Sequence, residues 1–511
     1  MWVVSVDEMR AIEQRAETDY RLSSQALMER AGRSVAEALR DRLGGSVLGS
    51  ETFVLLGPGN NGGDGRVMGR YLTDWGAHVT SYAWRERRLE VDSQYIPVND
   101  DLAAVREAIV RADVVVDALL GTGHSRPLDP TMARLLGFVA AEKQRRPAML
   151  TLALDLPSGL NADTGAVDEG TILADMTVTL AFPKVGLFLF PGAGYVGELR
   201  VGSIGLPDEM PIQTGMQCLD DALLRPPLPR RPLDSNKGTF GKVMIAAGSA
   251  RFPGSAYLVS AAAARVGAGL VTLATSPQLV PVYTTMLPEA TYHPLPPEDA
   301  PEERARSLLD ALAGYRALVV GPGLGQDDST RSFLEHTLAG LRALPEDERP
   351  RLIVDADGLN NLAHMDDWPK KLPPRTIITP HPGEMGRLLG GEKVSGGGQD
   401  RIEVARQAAA KWGVVLALKG ACTLVAAPEE PLRVNWPPNP ALATAGSGDV
   451  LSGVVGGLLA QGMEPFDAAS AAVYLHSQAG LIVSRRIGDA GLLAGDLLVE
   501  LPIALKQVKS V

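Results

Sequence analysis

Cysteine is nearly absent from this chain of 511 residues: only Cys218 and Cys422 occur, far apart and without metal-type spacing. A disulfide framework and a zinc site are thereby excluded, and a reducing compartment is expected. Blocks of positive charge are missing as well. The formal net charge is −11 and no Lys/Arg run exceeds a few residues, so the footprint of a nucleic-acid or anionic-membrane binder is absent. No uninterrupted apolar run reaches about 18 residues, which argues against a membrane span. The N-terminal stretch MWVVSVDEMRAIEQRAE carries acidic residues from Asp7 onward and lacks the basic start and apolar centre of a signal peptide, so a cytoplasmic location is expected. The pattern G-x-x-x-x-G-K-[ST] does not occur, which sets P-loop chemistry aside.

Apolar residues make up 45% and charged residues 21%, ordinary globular usage, and the length exceeds what one core usually serves. Two α/β domains are expected. Residues 8–42 read as helical, with Met9, Ile12, Ala16, Leu27, Ala31, Val35 and Leu39 near helical spacing. Short apolar runs follow at 52–56, 79–82, 112–116, 149–154 and 176–180, with helix-like stretches between several of them. That alternation predicts a doubly wound three-layer domain, Rossmann-like, over 1–210. Proline at 207, 211, 226, 227, 229 and 232 breaks the pattern, and a linker is placed at 211–224. A second α/β series over 225–511 has strand-like runs at 243–247, 270–274, 317–320, 352–354, 376–379 and 414–418, and an alanine-rich helix over 255–266. No residue-level repeat relates the halves.

In the first half the strand-like run 52–56 enters Gly57-Pro58-Gly59-Asn60-Asn61-Gly62-Gly63-Asp64-Gly65. Glycines at such a turn let backbone N–H groups approach a phosphate, and the helix start adds a favourable dipole. The G-x-G-x-x-G spacing alone is a weak signal, because Glu86, flanked by Arg85 and Arg87, is no clear ribose ligand. Two more loops follow strands: Asp117-Ala118-Leu119-Leu120-Gly121-Thr122-Gly123 and Asp155-Leu156-Pro157-Ser158-Gly159-Leu160. All three would lie at carboxyl ends of strands, where α/β sheets bind ligands.

NNGGDG, DALLGTG and DLPSG, in this order, resemble the NAD(P)H-hydrate epimerase domain. The resemblance implies substrate contacts at Asn60, Asn61, Gly62, Gly63 and Asp64, and at Gly121, Thr122, Gly123, His124, Ser125, Arg126 and Pro127. It further implies a potassium ion on Asn61, Asp117 and Ser158, and Asp155 as acid/base residue in contact with substrate. An amide, a carboxylate and a hydroxyl suit a hard cation. Asn161 departs from the aspartate common in such domains, and Arg66 follows the glycine loop.

The second half carries KGTFGKV, GPGLG, DADGLN, TPHPGE and GSGDVLSG. An aspartate after a glycine pair at a helix start suits phosphoryl transfer: amides of Gly446 to Gly448 bind phosphate oxygens and Asp449 takes a proton from a hydroxyl. The set resembles the ribokinase-like fold and its NAD(P)H-hydrate dehydratase branch. That likeness implies substrate contacts at Ala256, Gly323, His381 and Asp449, and nucleotide contacts at Lys419, Gly420, Ala421, Cys422, Thr423 and Gly448. Serine stands at 447 where the family commonly has threonine. Asp355 and Glu384 are open between placing Mg2+ through water and simple capping.

The reading is thus a bifunctional enzyme acting on hydrated NADH and NADPH, with ADP as co-substrate, K+ in the first domain and Mg2+ in the second. ADP is expected on resemblance to fused bacterial members. A homo-oligomer stays open. The alternative is a vitamin-precursor or sugar kinase joined to a non-catalytic binding module; retention of Asn61, Asp117, Asp155 and Ser158 counts against the latter.

Overall fold

The computed structural model describes residues 1–85, 94–96, 102–123, 127–394, 398 and 400–510. It divides into two compact units, Trp2–Met216 and, in the main, Gln217–Val511. The segment expected as a linker is partly structured. Asp220 caps the helix Asp221–Leu224, and Leu219, Leu224 and Leu228 enter the core of the second unit. The prolines that follow end that short helix and conceal it in the sequence.

The first unit is built on a seven-stranded parallel sheet. Its strands run in the order Gln94–Ile96, His78–Ala83, Glu51–Leu56, Val114–Ala118, Leu150–Leu154, Met176–Leu180, Glu198–Gly202. Successive side chains point to opposite faces, so Val54 and Leu56 join one core while Phe53 and Leu55 join another. Helices Ser24–Arg42 and Asn60–Asp74 close the first face through Val35, Leu39, Met68 and Leu72. Helices Ala103–Arg111 and Pro130–Arg145 close the second through Val105, Ile109, Leu135 and Val139. The helical stretch expected over 8–42 is two helices, Val6–Thr18 and Ser24–Arg42. Arg21 takes φ 57 between them, and the Ser23 side chain accepts the Ala26 N–H to start the second.

In the second unit nine strands run in the order Leu432–Val434, Leu424–Ala426, Val415–Leu418, Ile377–Ile378, Arg351–Val354, Ala317–Val320, Lys242–Ala246, Leu270–Thr275, Thr291–Pro294. All pairs are parallel except the two at the Leu432–Val434 end, which are antiparallel. Helices Pro253–Arg265, Ser447–Ala460, Pro465–Ile487 and Ala494–Ser510 share one apolar core through Val259, Val454, Leu475 and Leu501. Among the described residues no helix is long and apolar enough to cross a membrane.

Candidate active sites

Three strand-end loops converge in the first unit. Behind Leu56 the chain turns at Gly57 and enters the helix Asn60–Asp74 directly. A Cβ on Gly62 would lie 1.9 Å from the Gly57 carbonyl oxygen, so this turn admits only glycine. Asp117, fully buried, accepts the Ser158 hydroxyl on Oδ1 at 2.6 Å and the Ser158 N–H on Oδ2 at 2.8 Å. The Leu119 N–H adds a bond at 3.2 Å. Ser158 Oγ in turn accepts the Leu120 N–H at 3.0 Å. Burial pushes the Asp117 carboxyl above its usual range, while these bonds act against the shift. Asn61 is buried beside Gly121, and its Nδ2 has no hydrogen-bond partner. The three expected cation ligands therefore sit on three adjoining loops.

Asp155 follows the strand Leu150–Leu154 with φ 67, a backbone region that costs a non-glycine residue energy. Its Oδ1 accepts the Lys184 ammonium, the Thr179 hydroxyl at 3.2 Å and the Leu180 N–H at 3.1 Å. Lys184 is buried and also donates to the Leu180 carbonyl at 3.0 Å. Nearby, a cleft of roughly 280 Å³ is lined by Arg10, Glu13, Met28, Asn60, Asp64 and Leu180. Burial, then the charges of Asp155 and Glu13, push the Asp64 carboxyl up to about 8 against the pull of Lys184. Glu13 is raised chiefly by burial.

In the second unit Lys419 follows the strand Val415–Leu418. Its Nζ donates to Asp355 Oδ1 at 2.9 Å and lies 3.7 Å from Glu384 Oε2. Asp355 Oδ2 accepts the Ser452 hydroxyl at 2.5 Å. Asp449 stands in the first turn of Ser447–Ala460, whose cap Gly446 takes φ 86, a left-handed conformation that suits glycine. Burial and the Asp355 charge push Asp449 up to about 6, with Ser255 and Lys419 pulling it down. A Cβ on Gly448 would lie 3.3 Å from Lys419 Nζ, so the ammonium sits close to the helix start. First-turn amides have no partner within the helix, which gives this corner backbone donors as well as a cation and a carboxyl.

His381 caps the helix Pro382–Leu388. Its Nδ1 accepts the N–H groups of Gly383 and Glu384 at 3.0 and 3.4 Å, while Glu384 Oε2 accepts the His381 N–H at 2.8 Å. Burial, Lys419 and Arg387 hold the His381 pKa below its ordinary value. Burial pushes Glu384 up to about 7 against Lys419. Glu384 is thus both a cap and a neighbour of Lys419. Gly323, φ 65, lies against Phe252 and Ser255 at the start of Pro253–Arg265, and Ala256 is fully buried in that helix. Gly420 and Ala421 are exposed, Cys422 is buried, and the Thr423 hydroxyl donates to the Gly420 carbonyl at 3.1 Å.

His124, Ser125 and Arg126 lie outside the described residues, as do Glu86 and Arg87. Gly121 and Thr122 are half-buried; Gly123 and Pro127 are exposed. Two of the family departures prove to be internal contacts. Asn161 Oδ1 accepts the N–H groups of Asp163 and Thr164 at 3.0 and 2.9 Å, and the Ser447 hydroxyl donates to the Leu442 and Thr444 carbonyls, both at 3.0 Å. Sequence reasoning missed Lys184 and Arg401. The first is a lone lysine in an apolar run, Phe182-Pro183-Lys184-Val185-Gly186, which is a readable signal. Arg401 sits in a helix of mixed character and is 3% exposed, donating to the carbonyls of Leu418, Lys419 and Cys422 at 3.2, 2.9 and 3.3 Å.

A family model described as NAD(P)H-hydrate dehydratase matches residues 243–502, and one described as YjeF-related protein N-terminus matches 24–186. The bifunctional NAD(P)H-hydrate repair enzyme of Moorella thermoacetica is 36% identical to this chain, covering 100% of it and 97% of that protein. The chain belongs to the bifunctional NAD(P)H-hydrate repair enzyme family. The Escherichia coli member is 34% identical over 97% of this chain and 92% of its own length. This repair enzyme joins an epimerase domain to a dehydratase domain. A crystal structure of ADP/ATP-dependent NAD(P)H-hydrate dehydratase from Bacillus subtilis, co-crystallised with ATP and Mg2+, is 32% identical, with a TM-score of 0.49 over 57% of this chain and 97% of that one.

Proposed function

We propose that Asp155 is an acid/base residue of epimerisation between the R and S hydrates, and that Asp449 is the base of an ADP-dependent dehydration of the S form. One observation supports both assignments: each aspartate lies at a strand-end loop or helix start, at least partly removed from water, with a lysine nearby that is buried in the first unit and half-buried in the second. Lys184 pairs with Asp155 directly, and Lys419 reaches the Asp449 corner through Asp355.

In the first unit, residues 60–64, 121–123 and 127 are the described groups that would hold the hydrate. Asn61, Asp117 and Ser158 would hold potassium through oxygens, an amide carbonyl, a carboxylate and a hydroxyl, on side chains that are all buried. Such an ion supplies positive charge that orders the loops around the substrate. In the second unit, Asp449 takes the proton of the C6 hydroxyl as its oxygen attacks the β-phosphorus of ADP. The bond to AMP breaks. The resulting phosphate ester then leaves C6 as C5 loses a proton, forming the C5=C6 bond of NAD(P)H and releasing phosphate. Lys419 and the amides of the Ser447–Ala460 helix start are the groups that neutralise the phosphoryl oxygens. Asp355 and Glu384 are both engaged with Lys419, so Mg2+ would reach them through water while held by the nucleotide phosphates.

The test is incubation of the purified chain with mixed hydrate epimers and ADP, following absorbance at about 340 nm and product identity by mass spectrometry. NAD(P)H, AMP and phosphate should form, and both epimers should be consumed. A stable phosphorylated product would make the second unit a kinase. ATP supporting dehydration much faster than ADP, in nucleotides free of cross-contamination, would overturn the donor assignment.

A further inference from the structure

We propose that Asp64 is the second proton-transfer group of the epimerase cleft, acting as the acid that releases the C6 hydroxyl as water while Asp155 serves as base for the water that returns on the opposite face. This inference rests on the assignment of Asp155 above.

The two carboxyls are held in opposite ways. Asp155 places one oxygen on three donors, one of them an ammonium, and among the described residues its Oδ2 has no protein partner. Asp64 is 7% exposed, yet it lines the cleft and, among the described residues, receives no hydrogen bond from any donor. The lysine beside them is committed to Asp155, Thr179 and Leu180, and among the described residues no cation pairs with Asp64. Asp155 and Glu13 add repulsion, and Arg10 at the cleft pairs with exposed Asp7. A carboxyl so placed is driven toward its protonated form, as the rise to about 8 reflects. An unpartnered buried acid destabilises a fold. Packing does not call for an acid at this position, whereas inversion of a carbon that bears a hydroxyl needs an acid and a base on two faces.

The step balances. The N1 lone pair forms a C6=N1 bond as the C6–O bond breaks, and the departing oxygen takes the Asp64 proton to leave as water. Planar C6 is then attacked from the other face by a water whose proton passes to Asp155, and the electron pair of C6=N1 returns to N1. The two carboxyls end with the proton exchanged, and solvent resets them.

Asp64→Asn in the full chain, assayed without nucleotide, tests this. Epimerisation kcat should fall by about 10²–10⁴-fold with KM changed by less than about threefold, after subtracting the spontaneous rate. Dehydration of the S hydrate by the same sample should be unaltered, and the Tm unchanged or higher. In water enriched in oxygen-18, the unmodified chain should place the label at C6 in every inverted molecule. A variant epimerising within about threefold of the parent, or one with raised KM and unchanged kcat, overturns the role. Retention of the original C6 oxygen overturns C–O cleavage. Absence of epimerisation in the unmodified chain would defeat the underlying assignment instead.

Discussion

Lys419 donates to Asp355 at 2.9 Å, and the dehydratase corner is arranged around this pair. Burial works against the ammonium, but Asp355 and Glu384 outweigh it and hold the Lys419 pKa above its ordinary value. The cation therefore keeps its charge across the working pH range. Asp355 in turn is fixed by Ser452 on the same helix that carries Asp449.

That arrangement predicts the acid side of the pH profile. A base acts in its ionised form, and Asp449, pushed up to about 6, becomes protonated as pH falls through that value. Dehydratase kcat/KM should drop roughly tenfold per pH unit below about 6, while the chain stays folded by circular dichroism. A profile flat down to about pH 5 would remove Asp449 as the base.

Arg401 predicts a defect in nucleotide use from a residue that need not touch the nucleotide. It ties three carbonyls of the segment 418–422, and Arg401→Met leaves them buried without donors. Each unsatisfied group costs about 1–3 kcal/mol, so the loop should rearrange. KM for ADP should rise by about tenfold or more with epimerisation untouched. Arg401→Lys should recover part of the affinity, and an unchanged KM would show that the loop does not need the guanidinium.

Lys184→Met should abolish epimerisation and also weaken the first unit. Removing one partner of a buried ion pair costs about 3–5 kcal/mol, because Asp155 is left without its cation. Thermal unfolding of the variant gives the stability loss, and chromatographic epimer ratios give the rate. Parent-like epimerisation would show that Lys184 only packs.

Potassium should support epimerisation through Asn61, Asp117 and Ser158. Exchange into tetramethylammonium, too large for a pocket with a buried amide and a fully buried carboxyl, should slow the reaction reversibly. Unchanged epimerisation after exhaustive exchange would remove potassium from the account.

The motifs made the loops of both corners legible because several of them occur together and in order, each being a weak signal alone. The strand runs were legible from their uninterrupted apolar character. Less so were the edge strands Gln94–Ile96 and Glu198–Gly202, which are short or carry polar residues, and the break at Arg21–Ser23. Buried charges were the main omission. Lys184 left a trace as a lone lysine in an apolar run, whereas Arg401 looks like a surface residue by type, and only the fold shows which groups their heads bond. Asp64 was legible as a motif member, but its lack of a partner was not.

The central claim is a division of labour between two aspartates with separate surroundings, and exchange of each for alanine tests it most directly. Asp449→Ala should abolish dehydration and leave epimerisation, and Asp155→Ala should do the reverse, each loss being about 10²–10⁴-fold. The cores of the two units are distinct, so each variant should remain folded. Epimer ratio and NAD(P)H formation are followed in the same sample, with spontaneous epimerisation subtracted. Near-normal dehydration by Asp449→Ala, or loss of both activities in either variant while circular dichroism shows it folded, would contradict the account.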